Sequence, residues 1–195
     1  LVILGRRKDR LEKLADDIRS STAATVHTVV LDVQNTQAVT SLPATLPAEF
    51  RDVDILVNNA GLALGTAAAY DNDLAQCQQM LQTNVMAVIA FTKTFVAGMR
   101  KRGRGHLINI GSIAGHEAYV GGSVYCATKH AIDAFTTSAR HDLVGTPVRV
   151  TAISPGAVNT EFSTVRLGDK EKADAVYENL MPLLAADIAD NVVYA

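Results

Sequence analysis

Five short apolar runs punctuate the chain: Leu1 to Leu4, Val26 to Leu31, Val53 to Val57, His106 to Ile110 and Val148 to Ile153. Each has the length of a β-strand. Each ends in residues that stop or bend a strand: Gly5, Asp32, Asn58 to Gly61, Gly111-Ser112 and Ser154-Pro155-Gly156. Between the runs the apolar spacing turns helical. Leu11, Leu14 and Ile18 predict a helix from Asp9 to Arg19. Thr36 to Leu46 reads as a short helix broken by Pro43 and Pro47. Met80, Leu81, Val85, Val88, Ile89, Phe91, Phe95 and Met99 give one long helix from about Leu74 to Arg102, ended by Gly103 and Gly105. A second long helix runs from Tyr125 to Leu143, and a loop with two short helices follows Gly156. Strands that alternate with helices, and are apolar throughout, call for a parallel sheet covered on both faces. The expected fold is a single doubly wound α/β domain, without repeats, low-complexity tracts or linkers.

In such a sheet, ligands bind beyond the carboxyl ends of the strands. The distinctive residues of this chain all fall there, a convergence that packing alone does not require. The bulk properties narrow the ligand class. A net charge of −2 across 195 residues gives no footprint for nucleic acid. No apolar run reads as long enough to span a membrane. Cys77 and Cys126 are isolated, and neither they nor the five histidines show metal-ligand spacing. Unpaired thiols fit a reducing, cytoplasmic setting. A small-molecule substrate, without metal, is the expected partner.

Tyr125 and Lys129 stand at i and i+4 on the second long helix, and so share a face. A free phenol titrates near ~10, and a neighbouring ammonium favours its ionised form. The pair is therefore expected to lower the tyrosine pKa toward the range of a general acid/base. Ser112, delivered from the end of the fourth strand, could hold the oxygen whose proton is exchanged; nearby Ser123 competes for that role. Asn84 sits inside the first long helix among apolar neighbours, where asparagine is a poor helix former.

Taken together, Asn58-Asn59-Ala60-Gly61, Asn84, Ser112, Tyr125-x-x-x-Lys129 and Pro155-Gly156 resemble, in order and spacing, the short-chain dehydrogenase/reductase family of Rossmann type. The resemblance covers essentially the whole chain. A narrower likeness, to the NADP-dependent 3-hydroxy acid dehydrogenases, rests on Ile55 to Gly65, Ser112-Ile113-Ala114-Gly115 and Thr160-Glu161-Phe162-Ser163-x-Val165-Arg166. That branch oxidises serine, allo-threonine and similar short 3-hydroxy acids.

The resemblance implies roles. Tyr125 exchanges the substrate proton, Lys129 tunes it and binds the nicotinamide ribose, and Asn84 anchors a water in a proton relay. Arg6 and Arg7 stand where an acidic residue would select NAD. Two guanidiniums there suit a 2′-phosphate and hence NADP, or they continue a charged helix surface into Lys8 and Arg10. Asp32 and Val33 would flank the adenine, unless Asp32 is the N-cap of the next helix. Asn59, Ala60 and Gly61 would form a tight turn against the cofactor, and Asn58 would brace neighbouring strands. Pro155, Gly156, Val158 and Thr160 would meet the nicotinamide. Arg166, in a lid with Glu161 and Phe162, is a candidate anchor for a substrate carboxylate, and His116 and Tyr119 could line the pocket. By resemblance the outward faces of the two long helices pair between subunits as a homotetramer.

The family's TGxxxGxG loop and the strand before it have no counterpart in the chain. That strand belongs mid-sheet beside Leu1 to Leu4, so a gap is expected there, and a final strand after Ala195 is expected to be missing too. A segment of this kind should neither fold stably nor bind cofactor alone. The alternatives to a 3-hydroxy acid dehydrogenase are a carbonyl or 3-oxoacyl reductase on the same scaffold, or a dinucleotide-binding regulator without catalysis.

Overall fold

The computed structural model describes residues 1–195. β1 (Val2–Gly5) leads through α1 (Lys8–Ser21) into β2 (His27–Val30), and α2 (Thr36–Thr45) carries the chain to β3 (Ile55–Asn58). α3 (Leu74–Leu81) and α4 (Ala87–Arg102) follow, then β4 (Gly105–Ile110), α5 (Ser123–Asp142) and β5 (Val148–Ile153). The last part holds β6 (Val158–Asn159), α6 (Phe162–Leu167), α7 (Lys170–Ala175), β7 (Leu183–Leu184) and α8 (Ala185–Tyr194). Every strand pair is parallel, as helical crossovers require.

The sheet is in two pieces. β1 pairs only with β2, and β3, β4 and β5 form a separate three-stranded sheet. A slot of about 750 Å³ lies between β1 and β3, lined by Val2 and Leu4, by Ile55 to Asn58, and by Phe91 and Phe95 of α4. This is where the sequence places the missing central strand. α2 and α4 pack over one face around Val39, Leu42, Leu46, Leu56, Phe91, Phe95, Met99 and Leu107, all buried. The other face of β3 is open: Ile55 and Val57 are exposed while Leu56 and Asn58 are buried. The expected cover on both faces is thus incomplete here, because no helix of the chain packs on that side of β3.

Several local features differ from expectation. After Gly156 the chain forms not only two short helices but also the paired strands β6 and β7 and a third helix, α8. Pro43 does not break α2, which runs on to Thr45. Proline forfeits one hydrogen bond in a helix, but Leu42 and Leu46 on either side are buried in the core and hold the turn. Pro47 does end it, through the extended backbone it imposes on Leu46. The long helix is interrupted by a π-helical turn at Gln82–Met86. Such turns insert a residue into the α-helical phase, and this one carries Asn84. Contrary to expectation, the composite helix Leu74–Arg102 is long enough and contains a stretch apolar enough, at a mean hydropathy of 1.3, to cross a membrane. Its apolar face packs in the core through Val88, Phe91, Phe95 and Met99.

Candidate active site

β4 ends at Ile110 and turns at once into a short 3₁₀ segment, Ile113–Gly115. Ser112 caps it, its hydroxyl accepting from the Ala114 amide at 3.1 Å. Gly115 lies against α5 so closely that an added Cβ would stand 2.8 Å from the Lys129 carbonyl oxygen. This contact seats Ser112 beside Tyr125, whose phenol feels the serine as a hydrogen-bonding neighbour.

Tyr125 and Lys129 share one face of α5, with the Lys129 Nζ 5.8 Å from the phenol ring centroid. Their electrostatics differ from expectation. Burial pushes the Tyr125 pKa up; Ser112 and, more weakly, the Arg166 guanidinium pull it down without cancelling that rise. The Lys129 ammonium does not figure among the causes. Burial brings Lys129 itself down to about 8, and its Nζ donates to the Ile110 carbonyl at 3.0 Å. Burial thus sets the direction of both shifts. The phenol is protonated at neutral pH.

Asn84 is almost fully buried and fully bonded. Its Oδ1 accepts from the Leu62 amide, and its Nδ2 donates to the Leu62 carbonyl, both at 2.8 Å. Nδ2 also donates to Thr128 Oγ1 at 3.0 Å, and that hydroxyl donates to the Tyr125 carbonyl. Asn84 therefore ties the segment after β3 to the helix that bears the phenol. Thr128 was missed by sequence reasoning, since a threonine inside a helix carries no signal of its own. Gly61 sits against this knot, where a Cβ would lie 3.5 Å from Asn84 Oδ1 and 3.7 Å from Lys129 Nζ. Asn59, Ala60 and Gly61 do not make the expected tight turn. They run on as irregular, exposed backbone, and Gly61 is not in the left-handed region; its lack of a side chain serves close approach rather than a bend. Asn58 bridges strands, donating to Asn109 Oδ1 at 2.8 Å.

At the end of β1, Arg6 stands 3.9 Å from Asp32. Arg7 and Arg10 both bond the carboxylate of Glu161. Asp32 accepts from the Gln34 amide and is not the N-cap of α2; Asn35 caps that helix through Ala38. Val33 packs against the main core. Beyond β5, the Pro155 carbonyl accepts from the Ile113 amide, which joins the two strand ends. A Cβ on Gly156 would meet only Ile113, at 3.8 Å. Val158 is held in β6 and its carbonyl accepts from Tyr177, while Thr160 Oγ1 accepts from the Phe162 amide.

The lid reaches the phenol directly. The Phe162 ring lies 5.5 Å from that of Tyr125. Arg166 Nη1 donates to the Tyr119 hydroxyl at 2.8 Å, its other nitrogens bond the Gly65 and Gly121 carbonyls, and its guanidinium is 5.9 Å from the Tyr125 ring centroid. His116 turns instead to Ser154, at 3.2 Å. The structure thus gathers Asn84, Ser112, Tyr125, Lys129 and Arg166 into one cluster. Arg6, Arg7 and Asp32 gather at the end of β1, as the order of a doubly wound sheet demands.

Residues 1–171 match the short chain dehydrogenase family. The NADP-dependent 3-hydroxy acid dehydrogenase of Schizosaccharomyces pombe is 41% identical over 196 residues, covering 100% of this chain and 76% of the relative. Sulfoacetaldehyde reductase 2 of Chromohalobacter salexigens is 43% identical, covering 100% of this chain and 77% of that protein. Among solved structures, the closed form of a serine dehydrogenase complexed with NADP+ superposes with a TM-score of 0.93 at 42% identity, covering 99% of this chain and 77% of that one. With its phenol, lysine and serine gathered at the strand ends of a parallel sheet, this chain belongs to the short-chain dehydrogenase family of oxidoreductases.

Proposed function

We propose that the chain carries the catalytic apparatus of an NADP-dependent dehydrogenase that oxidises the CH–OH group of a short 3-hydroxy acid such as serine or allo-threonine. The observation that carries this reading is the Arg166 guanidinium, fixed by three hydrogen bonds and 5.9 Å from the ring of the proton-exchanging phenol. A substrate carboxylate can take over the bond that Arg166 now gives to Tyr119, which leaves the hydroxyl of a short acid within reach of Tyr125. Charge-assisted bonds of this kind are the stronger ones. The relatives named for 3-hydroxy acids and serine support the same substrate class.

The residues present fit NADP. Two guanidiniums at the end of β1 suit a phosphate, and Gly61 and Gly156 keep the cofactor-side backbone free of side chains. Arg6 and Arg7 would hold the 2′-phosphate, Asp32 and Val33 the adenine, Asn59 to Gly61 the middle, and Pro155, Gly156, Val158, Thr160 and Lys129 the nicotinamide end. When bound, the cofactor supplies the hydride acceptor. Oxidation uses Tyr125 as the phenolate, the form that can take the hydroxyl proton; Ser112 holds the oxygen that proton leaves, and the buried Lys129 ammonium keeps a positive charge beside them below about pH 8. Asn84 holds this geometry together through Leu62 and Thr128.

One observation favours a second reading, a carbonyl reductase. A sulfoacetaldehyde reductase stands among the relatives, and Tyr125 in its protonated form could donate to a carbonyl oxygen on the same scaffold. A substrate panel decides, with 3-hydroxy acids, uncharged alcohols and aldehydes assayed in both directions with NADP and NAD. Arg166→Ala should raise KM for serine and leave an uncharged alcohol unaffected. Detectable turnover that is lost in Tyr125→Phe separates an enzyme from a binding protein, whereas turnover that survives would remove Tyr125 as the proton-exchanging group. Faster turnover with NAD would overturn the role of Arg6 and Arg7. The two free cysteines, Cys77 and Cys126, support a cytoplasmic setting, and a homotetramer, checked by light scattering, completes the proposal.

A further inference from the structure

Glu161 lies 154 residues from Arg7 and 151 from Arg10 in sequence, yet it holds both. Arg7 Nη1 donates to one carboxylate oxygen at 2.9 Å and Arg10 Nη1 to the other at 2.8 Å. The two guanidiniums keep the Glu161 carboxyl below its usual range. The backbone that carries the carboxylate is anchored. The next residue, Phe162, is pinned by its ring against Tyr125 and by its amide on Thr160. Arg6 takes no part, its nearest carboxylate being Asp32 at 3.9 Å.

We infer that Glu161 is an internal anion that competes with the 2′-phosphate of NADP for Arg7 and Arg10, and so limits the preference of the protein for NADP over NAD. The inference rests on the reading of Arg7 as a phosphate-binding residue. A dianionic phosphate arriving at Arg7 either displaces the carboxylate or lies beside it, and like charges at that distance repel. Either way Glu161 weakens phosphate capture. NAD carries no phosphate there and is not subject to this competition. All three side chains are more than half exposed, so the effect is that of surface ion pairs. Removing the charge should tighten NADP binding by about three- to tenfold.

The direction distinguishes competition from scaffolding, because a carboxylate that merely orients the arginines would weaken NADP binding when removed. The test is calorimetric Kd measurement of NADP+ and NAD+ with the chain completed by a relative's strand and glycine-rich loop fused ahead of Leu1, and with its Glu161→Gln and Arg7→Ala variants. The expected result is tighter NADP+ binding in Glu161→Gln with NAD+ unchanged, and weaker NADP+ binding in Arg7→Ala. Unchanged or weaker NADP+ binding in Glu161→Gln, or equal tightening of both cofactors, overturns the inference. If Arg7→Ala leaves NADP+ binding unchanged, it is the phosphate-binding role of Arg7 that falls, and the competition with it.

Discussion

Lys129 is a charged group held where charge is costly. Its pKa near 8 in the folded protein, against an ordinary value near ~10.4, has a stability consequence whose sign follows from linkage. Between these values the unfolded chain binds more protons than the folded one, so stability rises with pH through that window. Below about pH 8 both states are protonated, and the penalty of burying the ammonium is fully present. The gap corresponds to about 3 kcal/mol. Lys129→Met removes the titration. Urea unfolding of the two proteins at matched pH, each completed by a relative's strand and glycine-rich loop fused ahead of Leu1, should therefore show their stability difference moving by that amount, in favour of the protein that keeps Lys129, between pH 7.5 and about 10.5. A constant difference would mean the ammonium is well solvated and the pKa unshifted. The lysine is retained for its charge beside Tyr125, and stability is lower for it. None of this was legible in Tyr-x-x-x-Lys. The spacing shows that the two groups share a face, but not that burial raises the phenol and depresses the amine, since that depends on what packs above them.

The segments at the strand ends position these groups, and Gly115 shows how tightly. The 3₁₀ segment that follows Ser112 rests on the α5 backbone at Lys129, and Gly115→Ala would place a Cβ 2.8 Å from a carbonyl oxygen and 3.0 Å from its carbon. Backbone cannot yield as a flexible side-chain end can, so the segment must lift. The substitution should cost about 1–3 kcal/mol. It should also lower kcat by about ten- to hundredfold by moving Ser112 away from the phenol. NADP+ affinity, governed at the end of β1, should change little. Thermal melts and steady-state rates of the chain completed in the same way check this, and an unchanged kcat with lowered stability would show that Ser112 is seated by something else. At this scale the five main strands and most helix limits before Gly156 could be read from the sequence, because apolar runs and their polar ends obey simple spacing, whereas the two-residue strands β6 and β7 are too short to leave such a pattern. The π-helical turn could not, since one inserted residue leaves the apolar stripe of a long helix almost undisturbed. Nor could the clasp of Glu161 on Arg7 and Arg10, because a pairing across 154 residues is set by tertiary structure and leaves no local trace.

On the scale of the whole molecule, the split sheet dominates. β1 and β3 face each other across the slot with no hydrogen bonds between them, so each presents a row of backbone groups that a paired sheet would satisfy. The slot walls are largely apolar, and Ile55, exposed at 61%, lies open on the uncovered face of β3. The half carrying Arg6 and Arg7 is tied to the half carrying Tyr125 by the packing of α2 on α4 and by exposed polar contacts, the Glu161 clasp on Arg7 and Arg10 among them. Such a division predicts weak cooperativity. The 195-residue chain by itself should bind a hydrophobic dye and melt over a broad range without a sharp transition. Supplying a parallel strand for the slot, by fusing the strand and glycine-rich loop of a relative ahead of Leu1, should suppress dye binding and restore one cooperative transition. It should also bring NADP+ affinity into a measurable range, because the same insertion joins the phosphate end of the site to the catalytic end. A sharp calorimetric transition in the chain alone, with equal calorimetric and van't Hoff enthalpies, would show that packing of α2 on α4 suffices to couple the halves, and that the slot is a cavity the fold tolerates.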